Sequence, residues 1–381
     1  MTTQVLWRSG RVLSVQRGWS AVRELVVELD QPVGGGPVVP AAGAAEPEAL
    51  RVLALAYLPL VGAPEVGDRV LLTVGALARG LGTGGYAMVT ALPDRLPADP
   101  PPSTGHLVKG RYMPLQAMVL GVDEQDSPHH ATLRDADDLA GLPVVVADLH
   151  SALPAVVAGI RTARPRARVA YVLTDGGALP AWFSHTLAAL REAGWVSGSV
   201  SVGQAFGGDI EAVTLHSGLL AARHVLEADV VVVTQGPGNL GTGTRWGFSG
   251  VACGEAVNAI GTLGGHAVAS LRVSDADPRP RHRGVSHHSM TAYGRVALLP
   301  ADVVVPDLPG PLGAEVRSAA RKLCEPQGRH RLVEQPLDGL MDALRACPVT
   351  LSTMGRRLDD DAAAFLAPAA AGRYAASLLD V

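Results

Sequence analysis

The segment from Asp275 to Ser289, DADPRPRHRGVSHHS, is the most unusual stretch of the sequence. It carries Arg279, Arg281 and Arg283 with His282, His287 and His288, between Asp275 and Asp277 on one side and Ser289 on the other, and Arg272 just precedes it. Guanidinium forks match phosphate and carboxylate oxygens, so Arg279, Arg281 and Arg283 are read as substrate-binding residues for an anion. Neutral imidazole moves protons or ligates metals, so His287 and His288 are read as catalytic. If the backbone there is extended, the two adjacent rings point to opposite faces and at most one reaches a given ligand. The plain alternative is a solvated charged loop. In a chain of which only 18% is charged, this concentration favours function.

Four more segments offer chemistry, each behind an apolar run. They are Asp148-Leu149-His150-Ser151, Thr174-Asp175-Gly176-Gly177, Gly203 to Asp209, and Thr234 to Thr244. His150 and Asp175 are further catalytic candidates, and Gln204 is a further substrate contact. A divalent metal such as zinc or manganese would need partners for the histidines from Asp148, His150, Asp175 or Asp209. Gly236, Gly238, Gly241 and Gly243 form a long glycine loop. GPGNLG fits G-x-G-x-x-G after a strand, yet no helix opens directly behind it, and no Gly-Lys-Ser/Thr makes it a Walker A loop. Its backbone N–H groups can hold a cofactor or substrate anion; the alternative is a flexible turn. Neither Ser151 nor Ser286 lies in G-x-S-x-G, which disfavours a serine hydrolase. Cys253 is read as a buried thiol. Lys109, Arg111 and Tyr112 either close the crevice or line an interdomain contact.

The elements that must position these residues follow from patterning. Strand signals recur over residues 1–98, at Val12–Gln16, Arg23–Leu29, Leu50–Leu60, Arg69–Val74 and Tyr86–Ala91, which predicts a small β-barrel or sandwich. Gln31–Pro47 reads as a loop, and residues 99–105 as a proline-rich linker. Over 106–308, apolar runs at Pro143–Ala147, Arg168–Leu173, Ser197–Val202, Asp229–Val233 and Ala267–Val273 alternate with helical patterns. One of these helices is expected over Glu211–Leu226. This alternation predicts a doubly wound, mostly parallel, Rossmann-like α/β sheet, whose ligands bind beyond the carboxyl ends of the strands. Residues 311–381 read as a mainly helical extension with a short strand at Val349–Ser352. It ends in an alanine-rich helix over Asp359–Leu379, whose three leading aspartates suit a helix N-terminus. That helix is also a candidate homodimer face.

Composition excludes several classes. The hydrophobic fraction of 48% argues against disorder, and the net charge of −4 with 4% aromatics argues against nucleic-acid binding. No apolar run reaches the ~18 residues of a membrane span. Three scattered cysteines and no signal-peptide pattern lead to the expectation of a cytoplasmic protein.

The stretches GLGTGGYAMV (80–89), HLVKGRYMPLQ (106–116), EQDSPHH (124–130), HSALPAV (150–156) and TDGGALP (174–180) carry a family resemblance. So do GQAFGGDIEAV (203–213), GTGTRWGFSG (241–250), DPRPRHRGVSHHSMTA (277–292) and STMGRRLDDD (352–361). The chain resembles the bacterial DUF3866 proteins over nearly its whole length, a family whose function is undefined. The resemblance implies no catalytic residue. The reading of the residues themselves is an enzyme, hydrolytic or group-transferring, acting on a small anionic and conceivably phosphorylated molecule. A ligand sensor would use the same crevice, and an assembly scaffold would need an exposed apolar face on Ala362–Leu379.

Overall fold

The computed structural model describes residues 5–33, 50–82, 84–102, 104–325 and 328–380. From residue 34 on, the loop expected over Gln31–Pro47 lies outside the described residues, as does Ser103 of the expected linker. The chain divides into two compact units, Met1–Ser103 with Gly110–Ala117, and Thr104–Lys109 with Met118–Val381.

In the first unit, strands β1 (Trp7–Trp19), β2 (Val22–Leu29), β3 (Arg51–Tyr57), β4 (Arg69–Thr73) and β5 (Ala87–Ala91) close a barrel in the order β1-β2-β3-β5-β4. Alternate residues such as Leu25, Val27, Val52, Ala54, Val70 and Leu72 fill its interior, as the period of two requires. Only β3 and β5 run parallel. The strand expected to Leu60 ends at Tyr57, where a helical turn, Leu58–Val61, takes over with proline in its first turn.

The second unit is built on a sheet of eight strands. They are β6 (Pro143–Val146), β7 (Val169–Thr174), β8 (Gly198–Ser201), β9 (Ile210–Glu211), β10 (Val230–Gln235), β11 (His266–Ser270), β12 (Asp302–Pro306) and β13 (Arg331–Gln335). The order is β9-β8-β7-β10-β6-β11-β12-β13, and every pairing is parallel. β6 and β10 are buried at every position, which explains why valine runs rather than alternation encode them. From β6 the chain winds outward to β9, returns to β10, and then passes over β6 to β11. The carboxyl ends of β10, β6 and β11 therefore border the switch point, where an open α/β sheet leaves a crevice.

The helices that cover the sheet include α1 (Leu153–Ala163), α2 (His185–Glu192), α3 (Leu215–His224), α4 (Ala252–Thr262), α5 (His287–Thr291), α6 (Gly310–Cys324), α7 (Leu340–Arg345) and α8 (Ala363–Ser377). α8 lies along α1 and against β12. The crossing is close because both helices present glycine. A Cβ on Gly159 would stand 1.9 Å from the Ala369 carbonyl oxygen, and one on Gly372 would stand 2.0 Å from that of Val156. Nearly every side chain of α8 is buried, so the face considered for a homodimer or scaffold is covered by the chain itself.

Several expectations need correction. The Glu211–Leu226 helix begins only at Leu215, because Ile210–Glu211 adds an edge strand and Thr214 with Ser217 forms a capping box. The alanine-rich helix starts at Ala363, not Asp359. Asp361 does not cap it; its carboxylate accepts from Ser274 Oγ at 2.6 Å and from Arg356 Nε at 3.0 Å. The Val349–Ser352 strand is instead a two-residue strand, Ser352–Thr353, paired with Arg356–Arg357. The segment 311–381 also gives β13 to the sheet. Among the described residues no helix is long and apolar enough to cross a membrane.

Candidate functional site

Asp148, two residues beyond β6, is the centre of the switch-point cluster. It is 5% exposed, and its carboxylate takes three bonds from three directions. Oδ2 accepts from His288 Nδ1 at 2.8 Å and from Arg272 Nη1 at 3.0 Å, while Oδ1 accepts from Asn239 Nδ2 at 3.0 Å. Burial pushes the Asp148 pKa up. The His288 bond and the Arg272 charge outweigh that, so the carboxyl is held below its ordinary value. An ionised carboxylate only accepts hydrogen bonds, so His288 presents a proton to it on Nδ1. A Cβ on Gly250 would stand 1.8 Å from Asp148 Oδ1, so only glycine lets the chain pass there.

Arg272 follows β11 and is stitched to the start of α5. Its N–H donates to Ser289 Oγ at 2.9 Å, and its carbonyl accepts from the Ser286 N–H at 2.8 Å. Ser286 caps α5 by accepting from the His288 N–H, and its Oγ meets His282 Nδ1 at 2.7 Å. His287 and His288 therefore open a helix instead of lying extended, and their rings are not thrown to opposite faces. Ring centroids stand 4.5 Å apart for His287 and His288, 5.1 Å for His282 and His287, and 4.9 Å for His282 and His288. One ring nitrogen from each lies within 4.8 Å of the other two. Phe248 stacks on His288 with centroids 3.7 Å apart and fixes the ring's plane. Burial first, and then the charges of Arg272 and Arg279, lower the His282 pKa to about 3. Burial, then His288 and Arg281, lower that of His287. His282 and His287 are thus neutral imidazoles at physiological pH. His287 Nε2 is buried and has no hydrogen-bond partner.

A family model described as "Protein of unknown function (DUF3866)" matches residues 53–372. The chain belongs to the DUF3866 family. No curated protein matches it. The matched span contains Asp148, Arg272 and the three histidines, and its description carries no activity, so the site must be read from its geometry.

The other sequence candidates of this DUF3866 chain sit differently. His150 is 8% exposed, with Nδ1 3.0 Å from Tyr171 Oη and Nε2 2.7 Å from Ser184 Oγ. Burial lowers its pKa to about 4. Both nitrogens are engaged, and Ser184 also accepts the Leu187 N–H as the cap of α2, so this Ser–His pair holds structure together. Asp175 is exposed, and its Oδ2 accepts the Gln204 backbone N–H at 2.9 Å, tying the ends of β7 and β8. Neither His150 nor Asp175 belongs to the histidine group. Asp209 is likewise outside it; its carboxylate accepts from Ser199 and Arg191.

The arginines separate into three roles. Arg279 makes a two-point pair with Asp277, at 2.9 and 2.8 Å, and Arg356 joins that carboxylate at 3.3 Å. Arg283 is exposed and stands 3.9 Å from Asp275. Arg281 is exposed, and among the described residues it has no carboxylate partner. Its guanidinium lies beside Gly243, 3.7 Å from where a Cβ would project.

In the glycine loop, Gly236 is buried against the Gly177–Ala178 turn, where a Cβ would meet the Ala178 carbonyl oxygen at 2.4 Å. Gly238 and Gly243 take positive φ, at 96° and 79°, and Gly241 bridges to Phe248. The loop therefore folds back over the histidines instead of opening a helix, which removes the dinucleotide geometry that G-x-G-x-x-G requires. Lys109 is a buried pin, bonded to Glu211 and to three backbone carbonyls of residues 201–212. Arg111 and Tyr112 belong to the first unit.

Sequence reasoning ranked Asp148, Arg272 and His282 below their neighbours and did not single out Phe248 or Asn239. The available signal was Asp148 at the end of the central strand.

Proposed function

We propose that this protein is a cytoplasmic bacterial enzyme that binds a small anionic molecule, a phosphate ester foremost, at the switch point. There it would carry out hydrolysis or group transfer. The observation that carries this reading is Arg281. It is a solvent-facing guanidinium with no carboxylate partner among the described residues, next to the glycine loop and to a group of histidines. A free fork beside an exposed glycine loop suits phosphate oxygens, and the adjacent imidazoles supply the proton transfer that hydrolysis needs. Arg272 and Asp148 neutralise each other and hold the site's shape, so the charge an incoming anion meets is that of Arg281.

Thermal-shift measurements with a panel of phosphorylated metabolites test the reading, with phosphorus NMR following any product. A saturable rise in Tm for wild type, lost in Arg281→Ala with the unliganded Tm unchanged, is the expected result. If no anion raises Tm, or if Arg281→Ala responds like wild type, the anion site is refuted. Saturable binding with no product from any bound compound would make the protein a ligand sensor.

A further inference from the structure

We propose that His282, His287 and His288 form a three-histidine site for one divalent transition metal, with zinc the best match. Asp148 and Ser286 would serve as the groups that orient two of its rings. The proposal goes beyond the enzymatic reading and does not depend on it, because metal content can be measured without any substrate.

Four observations converge. The first is geometric: three imidazoles from η-turn 280–282 and the first two positions of α5 each bring a ring nitrogen within 4.8 Å of the others. Tetrahedral zinc with Zn–N bonds of 2.0–2.1 Å needs nitrogens about 3.3 Å apart. Rotation of the His282 and His287 rings toward His288, whose plane Phe248 fixes, would close the remaining distance.

The second is the hydrogen bonding behind the rings. A metal-bound histidine characteristically gives its other N–H to a carboxylate or oxygen, which fixes ring and tautomer. His288 does this with Asp148 at 2.8 Å, and His282 Nδ1 contacts Ser286 Oγ at 2.7 Å. In each ring the nitrogen left over is Nε2.

The third is His287 Nε2, which is buried and bonded to nothing. A buried polar atom without a partner costs roughly 1–3 kcal/mol, and a metal ion removes that cost. Among the described residues His287 is held by no carboxylate, and its ring meets only the rings of Phe248, His282 and His288.

The fourth is charge. All three ligands would bind as neutral imidazoles. Among the described residues the carboxylates near the rings are already balanced, Asp148 by Arg272 and Asp277 by Arg279 and Arg356. A divalent ion would keep its full charge, with three protein ligands and one position left over. That is the arrangement of catalytic rather than structural zinc, and the fourth ligand it favours is an anion, such as hydroxide or a substrate oxygen. Nitrogen-only ligation suits zinc, copper, nickel or iron rather than magnesium or calcium.

The test uses the full-length, tag-free chain purified without chelator. Zinc content is measured by plasma mass spectrometry, and zinc affinity by competition with a chromophoric chelator. The expected result is about one zinc per chain. His287→Ala should lose at least tenfold in affinity while its circular dichroism stays unchanged, because the ring's Nε2 makes no hydrogen bond and its neighbours are other side-chain rings. Asp148→Asn should weaken binding by roughly 10–100-fold, because His288 loses the carboxylate that holds its ring. Cobalt substitution should give visible absorption bands of a four- or five-coordinate ion in wild type that vanish in His287→Ala. The proposal is overturned if zinc and cobalt fail to bind wild type at concentrations well above the protein. It is equally overturned if His287→Ala and a His282→Ala, His287→Ala double variant both bind zinc as wild type does.

Discussion

His288 donates its Nδ1–H to Asp148 Oδ2 at 2.8 Å, joining the first turn of α5 to the end of β6 from positions 140 residues apart. Asp148 is shared with Arg272, so the carboxylate balances one charge while setting the tautomer of a neighbouring ring. Removing its charge leaves Arg272 nearly buried with no partner of opposite sign. Breaking a buried pair in this way costs about 3–5 kcal/mol. Asp148→Asn keeps the shape and some acceptor capacity, so its expected loss lies at the lower end, roughly 3 kcal/mol in urea unfolding. A loss under about 1 kcal/mol would show that the cluster is solvated and the carboxylate dispensable.

Stability should fall on mild acidification, and histidines should be the cause. Burial lowers the pKa of His150 to about 4 and that of His282 to about 3, below the unfolded value near 6.5. Between those limits the unfolded chain binds protons that the native state refuses, so stability rises with pH there and levels off above about 6.5. For His150 alone the window corresponds to about 3 kcal/mol. Asp148, Asp277 and Asp302 are held below their ordinary values, so their contributions are lost only at lower pH, below about 4. Urea midpoints measured at about pH 4.5, 5.5, 6.5 and 7.5 should climb over the first three and flatten at the last. His150→Gln should have a shallower slope. A flat profile for wild type would contradict the burial of these rings.

The sequence was most legible where burial acts on whole runs. The valine runs of β6 and β10 and the alternation of the barrel strands announce themselves, because each reflects how many faces of a strand are covered. β13 was hidden because Arg331, Glu334 and Gln335 make an edge strand look like a polar loop. Within the site, a run of arginines reads the same whether each faces water or a carboxylate. Only the fold shows Arg279 held by Asp277 and Arg281 left open. The adjacent histidines looked mutually exclusive on the assumption of an extended backbone. The cap provided by Ser286 makes them the first turn of a helix and lets His282 join them. The meeting of Asp148 with His288 depends on the sheet order, which no local pattern encodes.

The crossing of α1 and α8 sets two known effects against each other. Alanine is better than glycine inside a helix by about 1 kcal/mol, so Gly159→Ala would stabilise an isolated α1. In the folded protein the new methyl would stand 1.9 Å from a backbone oxygen of Ala369, which cannot rotate away. Overpacking of that kind costs typically 1–3 kcal/mol and more when backbone must move. The expected outcome is a net loss of roughly 2 kcal/mol or more in Gly159→Ala, with a similar loss in Gly372→Ala. The two should be non-additive, since either one forces the same helices apart. If Gly159→Ala unfolds at the wild-type urea concentration or above, the close crossing is wrong.

Lys109 should be as important to the fold as the switch-point cluster and unrelated to its chemistry. The ammonium is 3% exposed and lies 2.8 Å from Glu211 Oε2, 2.8 Å from the Ala205 carbonyl, and 3.0 Å from those of Ser201 and Ala212. One side chain thus gathers the loop that follows β8 and returns through β9. Burial raises the Glu211 pKa, and Lys109 opposes that rise. Lys109→Met would fill similar space but leave Glu211 without a counter-charge and remove a donor from three carbonyls, of which only that of Ser201 keeps another, the Ala212 N–H. A loss of about 3–5 kcal/mol follows from an uncompensated buried carboxylate. Adding Glu211→Gln should restore part of it, because the neutral amide no longer needs the cation. Zinc binding should persist in the double variant, since Ser286, Arg272 and Phe248 position the three histidines from the other side of β6. Urea unfolding and metal content measured on the same samples separate the two roles. A Lys109→Met protein as stable as wild type would refute the pin, and a double variant no better than the single would refute Glu211 as the reason for it.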